Sequence, residues 1–306
     1  MMAEKIFVAT EDFPLASKLL REKLSDKFEI VTLDRSKALK DQVKDVKVII
    51  PAMEKIDEEI MDNASELGLI VQFGVGLEGV DLKAAEERSI EVRNTPGKNA
   101  ESVAECSLFL MLSLSRKLNE MKTSFEEEKI GTPIGNELKG KNLCIVGLGA
   151  SGSYLAKIAD GIGMNCAGVR KHPEKGGPEH LEKIVRPEKI DHLLKWADFV
   201  ALHLPLTEET CGMFDDEKFD IMQSSSCIIN VSRGNIIDKD ALYKAIKQDK
   251  ISGAGLDVYW EEPTDPNDDL YSFDNVITTP DIAGVTEEAY ERVADEVVEI
   301  IENLID

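Results

Sequence analysis

The chain has 306 residues, of which 42% are hydrophobic and 31% charged, with a formal net charge of -23. That length is too great for one comfortable hydrophobic core and points to two domains. So negative a surface repels phosphate backbones and argues against nucleic acid as a partner, while the acidity as such serves solubility.

The residues after the double Met carry no basic segment leading into an apolar run, and the longest apolar runs, such as Leu108 to Leu114, are too short to span a bilayer. A soluble, cytoplasmic protein with no membrane partner is expected. Cys106, Cys144, Cys166, Cys211 and Cys227 are odd in number and form no CxxC pair, so neither a disulfide framework nor a metal site is expected. Cys144 and Cys227 lie in apolar runs and read as small buried hydrophobes.

Short apolar, β-branched runs at Lys5 to Thr10, Glu29 to Leu33, Val46 to Ile50 and Leu69 to Phe73 predict strands. Helical patterns intervene at Leu15 to Leu24, Glu58 to Ala64 and Leu82 to Arg88. A long helix is expected from Ala100 to Lys122, then a Gly- and Pro-containing loop from Gly131 to Gly140. Further strands are expected at Leu143 to Gly147, Cys166 to Val169, Phe199 to Leu204, Cys227 to Val231, Ala254 to Val258 and Val276 to Thr279. The last segment, Glu287 to Leu304, sets Tyr290, Val293, Ala294, Val297 and Ile301 on one face, as an amphipathic helix does. The βαβ rhythm implies an α/β protein of two doubly wound parallel-sheet units, with the closing helix returning to the first and a ligand cleft between them.

Gly147-Leu148-Gly149-Ala150-Ser151-Gly152 fits G-x-G-x-x-G and sits between an expected strand and an expected helix, the context that turns a weak motif into a dinucleotide turn. The glycines permit a tight turn, close approach to a pyrophosphate and tight helix–strand packing, and the helix N-terminus offers N–H groups to an anion. About one strand on, Val169 is followed by Arg170 and Lys171 where an NAD site usually has an acidic residue. Two readings stand: solvated surface cations, or partners for a ribose 2′-phosphate, which makes NADP the expected cofactor and NAD the alternative.

Several motifs in order resemble the D-isomer-specific 2-hydroxyacid dehydrogenase family over nearly the whole chain. They include Gln72 to Asp81, Asn94-Thr95-Pro96-Gly97, Ser102-Val103-Ala104-Glu105, His203-Leu204-Pro205-Leu206-Thr207, Asn230-Val231-Ser232-Arg233-Gly234, Gly255-Leu256-Asp257-Val258 and Glu261-Glu262-Pro263. The resemblance implies a flavodoxin-like substrate domain of residues 1–98 and 285–306, and a Rossmann-type dinucleotide domain of residues 99–284. It implies hydride transfer between NAD(P) and a small 2-hydroxy or 2-oxo acid, in a homodimer whose contact involves the long helix after Ala100. Arg233 would hold the substrate carboxylate and polarise the 2-oxo group, and the backbone of Val75 and Gly76 would hold the other side of the carboxylate. Val103, His203, Pro205, Thr210, Val231 and Ser232 would line the cofactor, with Asp257 near the nicotinamide carboxamide. His203 reads equally as a satisfied structural histidine.

One departure bears on the chemistry. The family places a His, its expected proton donor, after Thr-Pro, whereas here Asp281 follows Thr279-Pro280. Glu262 occupies the position of the carboxylate that tunes that donor. Asp281 and Glu262 are expected to share one proton, so that Asp281 replaces the His. The competing expectation is a catalytically impaired, dinucleotide-binding sensor or scaffold.

Overall fold

The apolar runs of the first 99 residues become a five-stranded parallel sheet because their side chains alternate between two buried faces. The computed structural model describes residues 4–9 and 13–305. Strands β1 (Glu4–Ala9), β2 (Phe28–Thr32), β3 (Val48–Pro51), β4 (Leu69–Val71) and β5 (Glu91–Arg93) lie in the order β2-β1-β3-β4-β5. Thr10, expected to end the first strand, lies outside the described residues.

On one face Phe7, Ile49 and Ile70 pack with Met61, Val80 and Ala84. On the other, Ile6, Val8, Val48 and Ile50 meet Leu19 and Leu20 of helix Pro14–Lys23 and Val293, Ala294, Val297 and Ile301 of helix Glu287–Ile305. Each fully buried Val or Ile of that closing stripe stabilises the unit by about 1.5–3 kcal/mol. Asp57 and Asp81 start the helices that follow them, accepting from the N–H groups of Ile60 and Ala84.

Residues Ala100–Gly284 form a second unit, and Val285–Asp306 joins Met1–Asn99 in the first. Its seven parallel strands are β6 (Asn142–Val146), β7 (Asn165–Val169), β8 (Lys183–Val185), β9 (Phe199–Leu202), β10 (Cys227–Asn230), β11 (Gly253–Leu256) and β12 (Val276–Thr278). They run in the order β12-β11-β10-β9-β6-β7-β8, so the winding reverses between β6 and β9. Loops at the carboxyl ends of these two strands therefore diverge and leave room for a ligand. Cys144 and Cys227 are buried, and burial pushes both thiols up to about 12.

The long helix expected from Ala100 to Lys122 is two helices, Ala100–Ser115 and Leu118–Glu126. Lys117 breaks it with a left-handed backbone, φ +54° and ψ 59°. The Ser115 carbonyl, which a continuous helix would pair with the N–H of Asn119, accepts instead from Asn136 N at 2.8 Å. The Asn119 side-chain amide donates to the carbonyls of Asp274 and Val276, tying the second helix to the start of β12. Among the described residues no helix is long and apolar enough to cross a membrane, and no group of His, Cys, Asp and Glu is arranged to hold a metal.

Candidate active site

The glycine-rich turn follows β6 directly. A Cβ on Gly147, whose φ is +104°, would stand 2.2 Å from the carbonyl oxygen of His203 at the end of β9. A Cβ on Gly152 would stand 2.0 Å from the carbonyl oxygen of Gly147. Packing thus requires glycine at both positions. Gly149 differs: it caps helix Ala150–Gly161, it is exposed, and a Cβ there would meet no protein atom within 4 Å. Bare backbone at Gly149, with exposed Ala150 behind it and the unpaired N–H groups of a 12-residue helix, suits the pyrophosphate of a dinucleotide. Leu148 turns inward and packs over Gly168, where a Cβ would come within 2.6 Å of it.

His203 is 8% exposed and lies between two hydroxyls, Ser151 Oγ at 2.9 Å from Nδ1 and Ser107 Oγ at 3.2 Å from Nε2. Ser107 donates its own hydrogen to the Val103 carbonyl. Its oxygen is left to accept from Nε2–H, and Nδ1 accepts from Ser151. Burial lowers the imidazole to about 4, so it stays neutral over the ordinary pH range. Val103, Ser107, His203 and Ser151 form one relay that joins helix Ala100–Ser115 to the first turn after Gly149.

At the end of β7, the Arg170 guanidinium donates to the Gly176 carbonyl, and Lys171 pairs with Glu209 at 2.9 Å. Glu174 accepts from Arg186 at 3.2 Å and lies 3.0 Å from His172. Four basic side chains thus gather after β7, three of them on two carboxylates and Arg170 on a backbone carbonyl. Thr210 ties its own loop, donating to the Pro205 carbonyl and accepting from Thr207 N, both at 2.8 Å. Pro205 itself is exposed.

The loop after β10 is fixed by its own polar side chains. Asn230 donates to the Arg233 carbonyl at 2.9 Å and accepts from Ser232 N at 3.1 Å. Ser232 donates to the Leu202 carbonyl at 2.6 Å and accepts from Leu204 N at 3.1 Å, lacing the ends of β9 and β10 together. Val231 is buried beneath, and Arg233 is half-buried with Nη1 donating to the Ser232 carbonyl at 2.7 Å.

Asp257, after β11, is fully buried. Its carboxylate accepts from Thr279 Oγ1 at 2.6 Å, Ile282 N at 2.9 Å and Ala283 N at 2.8 Å. Its carbonyl accepts from Asp281 N at 2.9 Å. These four bonds bend the Thr279–Ala283 segment around Asp281, which adopts φ +52°. Asp281 is exposed on this turn, although the protein around its carboxyl takes away part of its water. That loss, then the charges of Asp257 and Glu262, pushes its carboxyl up to about 6, against the opposing pull of Arg233. Arg233, Glu262 and Asp281, far apart in sequence, therefore share one electrostatic neighbourhood. Glu262 is exposed in the loop that follows Tyr259 and Trp260.

Val75 and Gly76 lie in the first unit, in the loop after β4. Asn94 Nδ2 donates to the Val75 carbonyl at 2.6 Å, and Thr95 holds the Gly74 carbonyl through its N–H and its hydroxyl. Gly74 has φ +139°, which a side chain would resist, so the turn depends on glycine there.

Sequence reading missed Ser107, Asn230, Tyr259 and Thr279 as parts of the site. Ser107, Tyr259 and Thr279 act through bonds to residues distant in the chain, Asn230 through bonds within its own loop, and none belongs to a residue type that signals chemistry alone. Thr279 sits in the same Thr-Pro motif as Asp281, the one local hint.

Residues 108–283 match the family model described as D-isomer specific 2-hydroxyacid dehydrogenase, NAD binding domain. The chain is 36% identical over 269 residues to a glyoxylate reductase of Thermococcus litoralis, covering 84% of this chain and 80% of that one. It is also 36% identical over 275 residues to a D-3-phosphoglycerate dehydrogenase of Archaeoglobus fulgidus; the match covers 89% of this chain but spans about half, 52%, of that relative's length. In three dimensions it is similar to D-lactate dehydrogenase from Aquifex aeolicus, solved with NAD and lactic acid, with TM-score 0.81 and 29% identity over 99% of this chain and 95% of that one. With two doubly wound units and a strand–glycine turn–helix built for a dinucleotide, the chain belongs to the D-isomer-specific 2-hydroxyacid dehydrogenase family.

Proposed function

We propose that this enzyme reduces a small 2-oxo acid to the 2-hydroxy acid, with NADPH preferred over NADH. The observation that carries the reading is the common neighbourhood of Arg233, Glu262 and Asp281 in the unit that carries the glycine turn. The bound dinucleotide supplies the hydride. Arg233 binds the substrate carboxylate with its planar fork and draws electron density from the 2-oxo group. Asp281, whose carboxyl its surroundings raise to about 6, gives its proton to the carbonyl oxygen from its protonated form, and the Glu262 charge helps to keep that proton in place. Backbone N–H groups of Val75 and Gly76 are assigned to the substrate carboxylate.

Gly147, Gly149, Ala150, Ser151 and Gly152 would hold the pyrophosphate. Arg170 and Lys171, on a chain this acidic, would attract a 2′-phosphate that a carboxylate would repel. Val103, His203, Pro205, Thr210, Val231, Ser232 and Asp257 are assigned to the walls and support of the cofactor site, His203 through its hydroxyl relay. Residues 1–98 with 285–306 are assigned to the substrate, and residues 99–284 to the dinucleotide. The sensor alternative rests on Asp281 alone, whereas a sensor has no use for an Arg clamp opposite a carboxyl poised to carry a proton.

The reading extends to a homodimer working in the reducing cytoplasm. Phe109, Leu112, Phe125, Ile130 and Ile134 are 48%, 44%, 84%, 99% and 86% exposed along one stretch of the chain. Surface of that kind is normally covered by a partner, here a second copy. All five cysteines are free thiols, as a reducing compartment keeps them. The decisive experiment is NADPH oxidation by the purified protein with glyoxylate, hydroxypyruvate and bulkier 2-oxo acids, with the hydroxy acid identified as product. Binding of NADPH without turnover of any of them would favour the sensor.

A further inference from the structure

Three contacts converge on Tyr259. Its carbonyl oxygen stands 2.0 Å from where a Cβ on Gly234 would lie, so its backbone presses on the residue beside Arg233. Its hydroxyl donates to the Thr279 carbonyl at 2.7 Å, two residues before Asp281 in the chain. Its ring meets Tyr271 edge-on, with centroids 5.6 Å apart, and the Tyr271 hydroxyl lies 3.1 Å from Thr264 Oγ1, two residues after Glu262. One residue thus touches the segments that carry Arg233 and Asp281, and reaches the Glu262 loop through Tyr271.

Asp281 needs such support. Its φ of +52° is uncommon for any residue with a side chain and persists only where the surroundings impose it. Asp257 grips the turn from inside through Thr279 Oγ1, Asp281 N, Ile282 N and Ala283 N. Thr279 N donates to the Leu256 carbonyl at 2.9 Å, and the Thr279 carbonyl accepts from Asp281 N at 3.0 Å and, as its side-chain partner, from the Tyr259 hydroxyl at 2.7 Å.

We propose that Tyr259 is a positioning residue, whose hydroxyl holds the turn of Asp281, and whose ring, through Tyr271 and Thr264, keeps the Glu262 loop in fixed relation to that turn. The inference rests on the assignment of Asp281 as proton donor and adds the device that places it. Arg233, Asp257 and Glu262 are the charged groups acting on Asp281. Tyr259, itself pushed up to about 12 by burial, and Cys106, likewise about 12, are the neutral titratable neighbours of this cluster.

The test is Tyr259→Phe, which removes one oxygen and keeps the ring on Tyr271. The measurements are the pH profile of NADPH-dependent 2-oxo acid reduction, KM, NADPH affinity and Tm. A turn freed into water should let Asp281 recover hydration, moving the loss of activity to lower pH. A drop of one unit costs about tenfold in kcat at neutral pH. KM and NADPH affinity should stay within about twofold, since no binding group is removed. Tyr271→Phe, which unties Thr264, should give a smaller shift in the same direction and serves if the first variant folds poorly. An unchanged pH profile in both variants, or a loss confined to Tm, overturns the proposal. Asp281→Asn measured in parallel separates the two assignments. If it abolishes reduction while Tyr259→Phe behaves as the parent, the tether alone fails. If Asp281→Asn leaves rate and profile unchanged, the proton-donor assignment fails and the tether with it.

Discussion

The carbonyl oxygen of Gly147 lies 2.0 Å from where a Cβ on Gly152 would stand, while a Cβ on Gly149 would touch nothing. The three glycines of one motif are therefore required for different reasons, and substitution separates them. Gly152→Ala forces the helix away from β6, and overpacking of this kind costs about 1–3 kcal/mol. Its Tm should fall by several degrees, at roughly 2–4 °C per kcal/mol for a unit of this size. Gly149→Ala should leave Tm near that of the parent and weaken NADPH binding by about tenfold or more, because the new methyl occupies the space a pyrophosphate needs. Thermal denaturation and a fluorescence titration with NADPH check both. Equal destabilisation by the two changes would remove the argument that Gly149 is kept for a ligand.

Cofactor preference follows from the charges after β7. NADPH should bind roughly tenfold to a hundredfold more tightly than NADH, the range of one charge-assisted contact. Arg170→Asp should abolish or reverse the preference, with little effect on Tm. The Lys171–Glu209 pair is exposed on both sides, so its loss should cost the fold almost nothing. Parent protein that binds both dinucleotides equally would sink the NADP assignment.

The buried His203 makes stability depend on acid. Its folded value of about 4 lies below the ordinary 6.5 of a histidine, so the unfolded chain takes up the proton more readily. Stability is then fully present above about 6.5 and is lost as pH falls toward 4, by an amount on the order of 3 kcal/mol at the lower limit. Urea unfolding across that range should show the decline, and a non-titrating His203→Gln should flatten it. A parent midpoint that is constant over the range would mean that the imidazole is already solvated.

What the sequence revealed and what it hid divide along physical lines. Runs such as Cys227–Asn230 are apolar on both faces and announce central parallel strands, whereas β5 (Glu91–Arg93) and β8 (Lys183–Val185) are three-residue edge strands flanked by charge and leave no run to detect. The helix break at Lys117 depends on Asn136 and on Asp274, which lie 19 and 157 residues further along the chain (136 − 117 and 274 − 117). Gly147 to Gly152 was legible because turn, spacing and context are local. The placing of Asp281 was not, since Asp257 and Tyr259 hold its turn through bonds that span 25 and 20 residues.

Arg233 offers a clean separation of binding from charge. Arg233→Lys keeps the positive group but loses the fork that can hold two oxygens at once. kcat/KM for every 2-oxo acid should fall by about tenfold to a hundredfold, the worth of a charged hydrogen bond, while NADPH affinity is retained. Steady-state kinetics with an independent NADPH titration decides it. A variant impaired only in dinucleotide binding would show that Arg233 serves the cofactor.

Asp281 gives the sharpest test of the chemistry. With its carboxyl at about 6, the protonated form prevails only on the acid side of that value. Proton donation should then be at its plateau below about 6, and reduction should fall close to tenfold per pH unit above it. The reverse reaction, oxidation of the hydroxy acid, needs the ionised form as base and should rise over the same window. Asp281→Asn can neither give nor take the proton, and should lower kcat in both directions by about a hundredfold or more, the ordinary contribution of a positioned acid or base. Asp281→His places there a group that titrates nearer neutrality and should move the falling limb of reduction upward. Asp257 and Glu262 raise an imidazole as they raise the carboxyl, but the loss of water that raises Asp281 lowers an imidazole, so the limb should move upward by less than the ordinary difference between the two side chains. Parallel pH profiles for the parent and both variants, in both directions, make the assignment decidable: coincident limbs in parent and Asn variant would show that another group carries the proton.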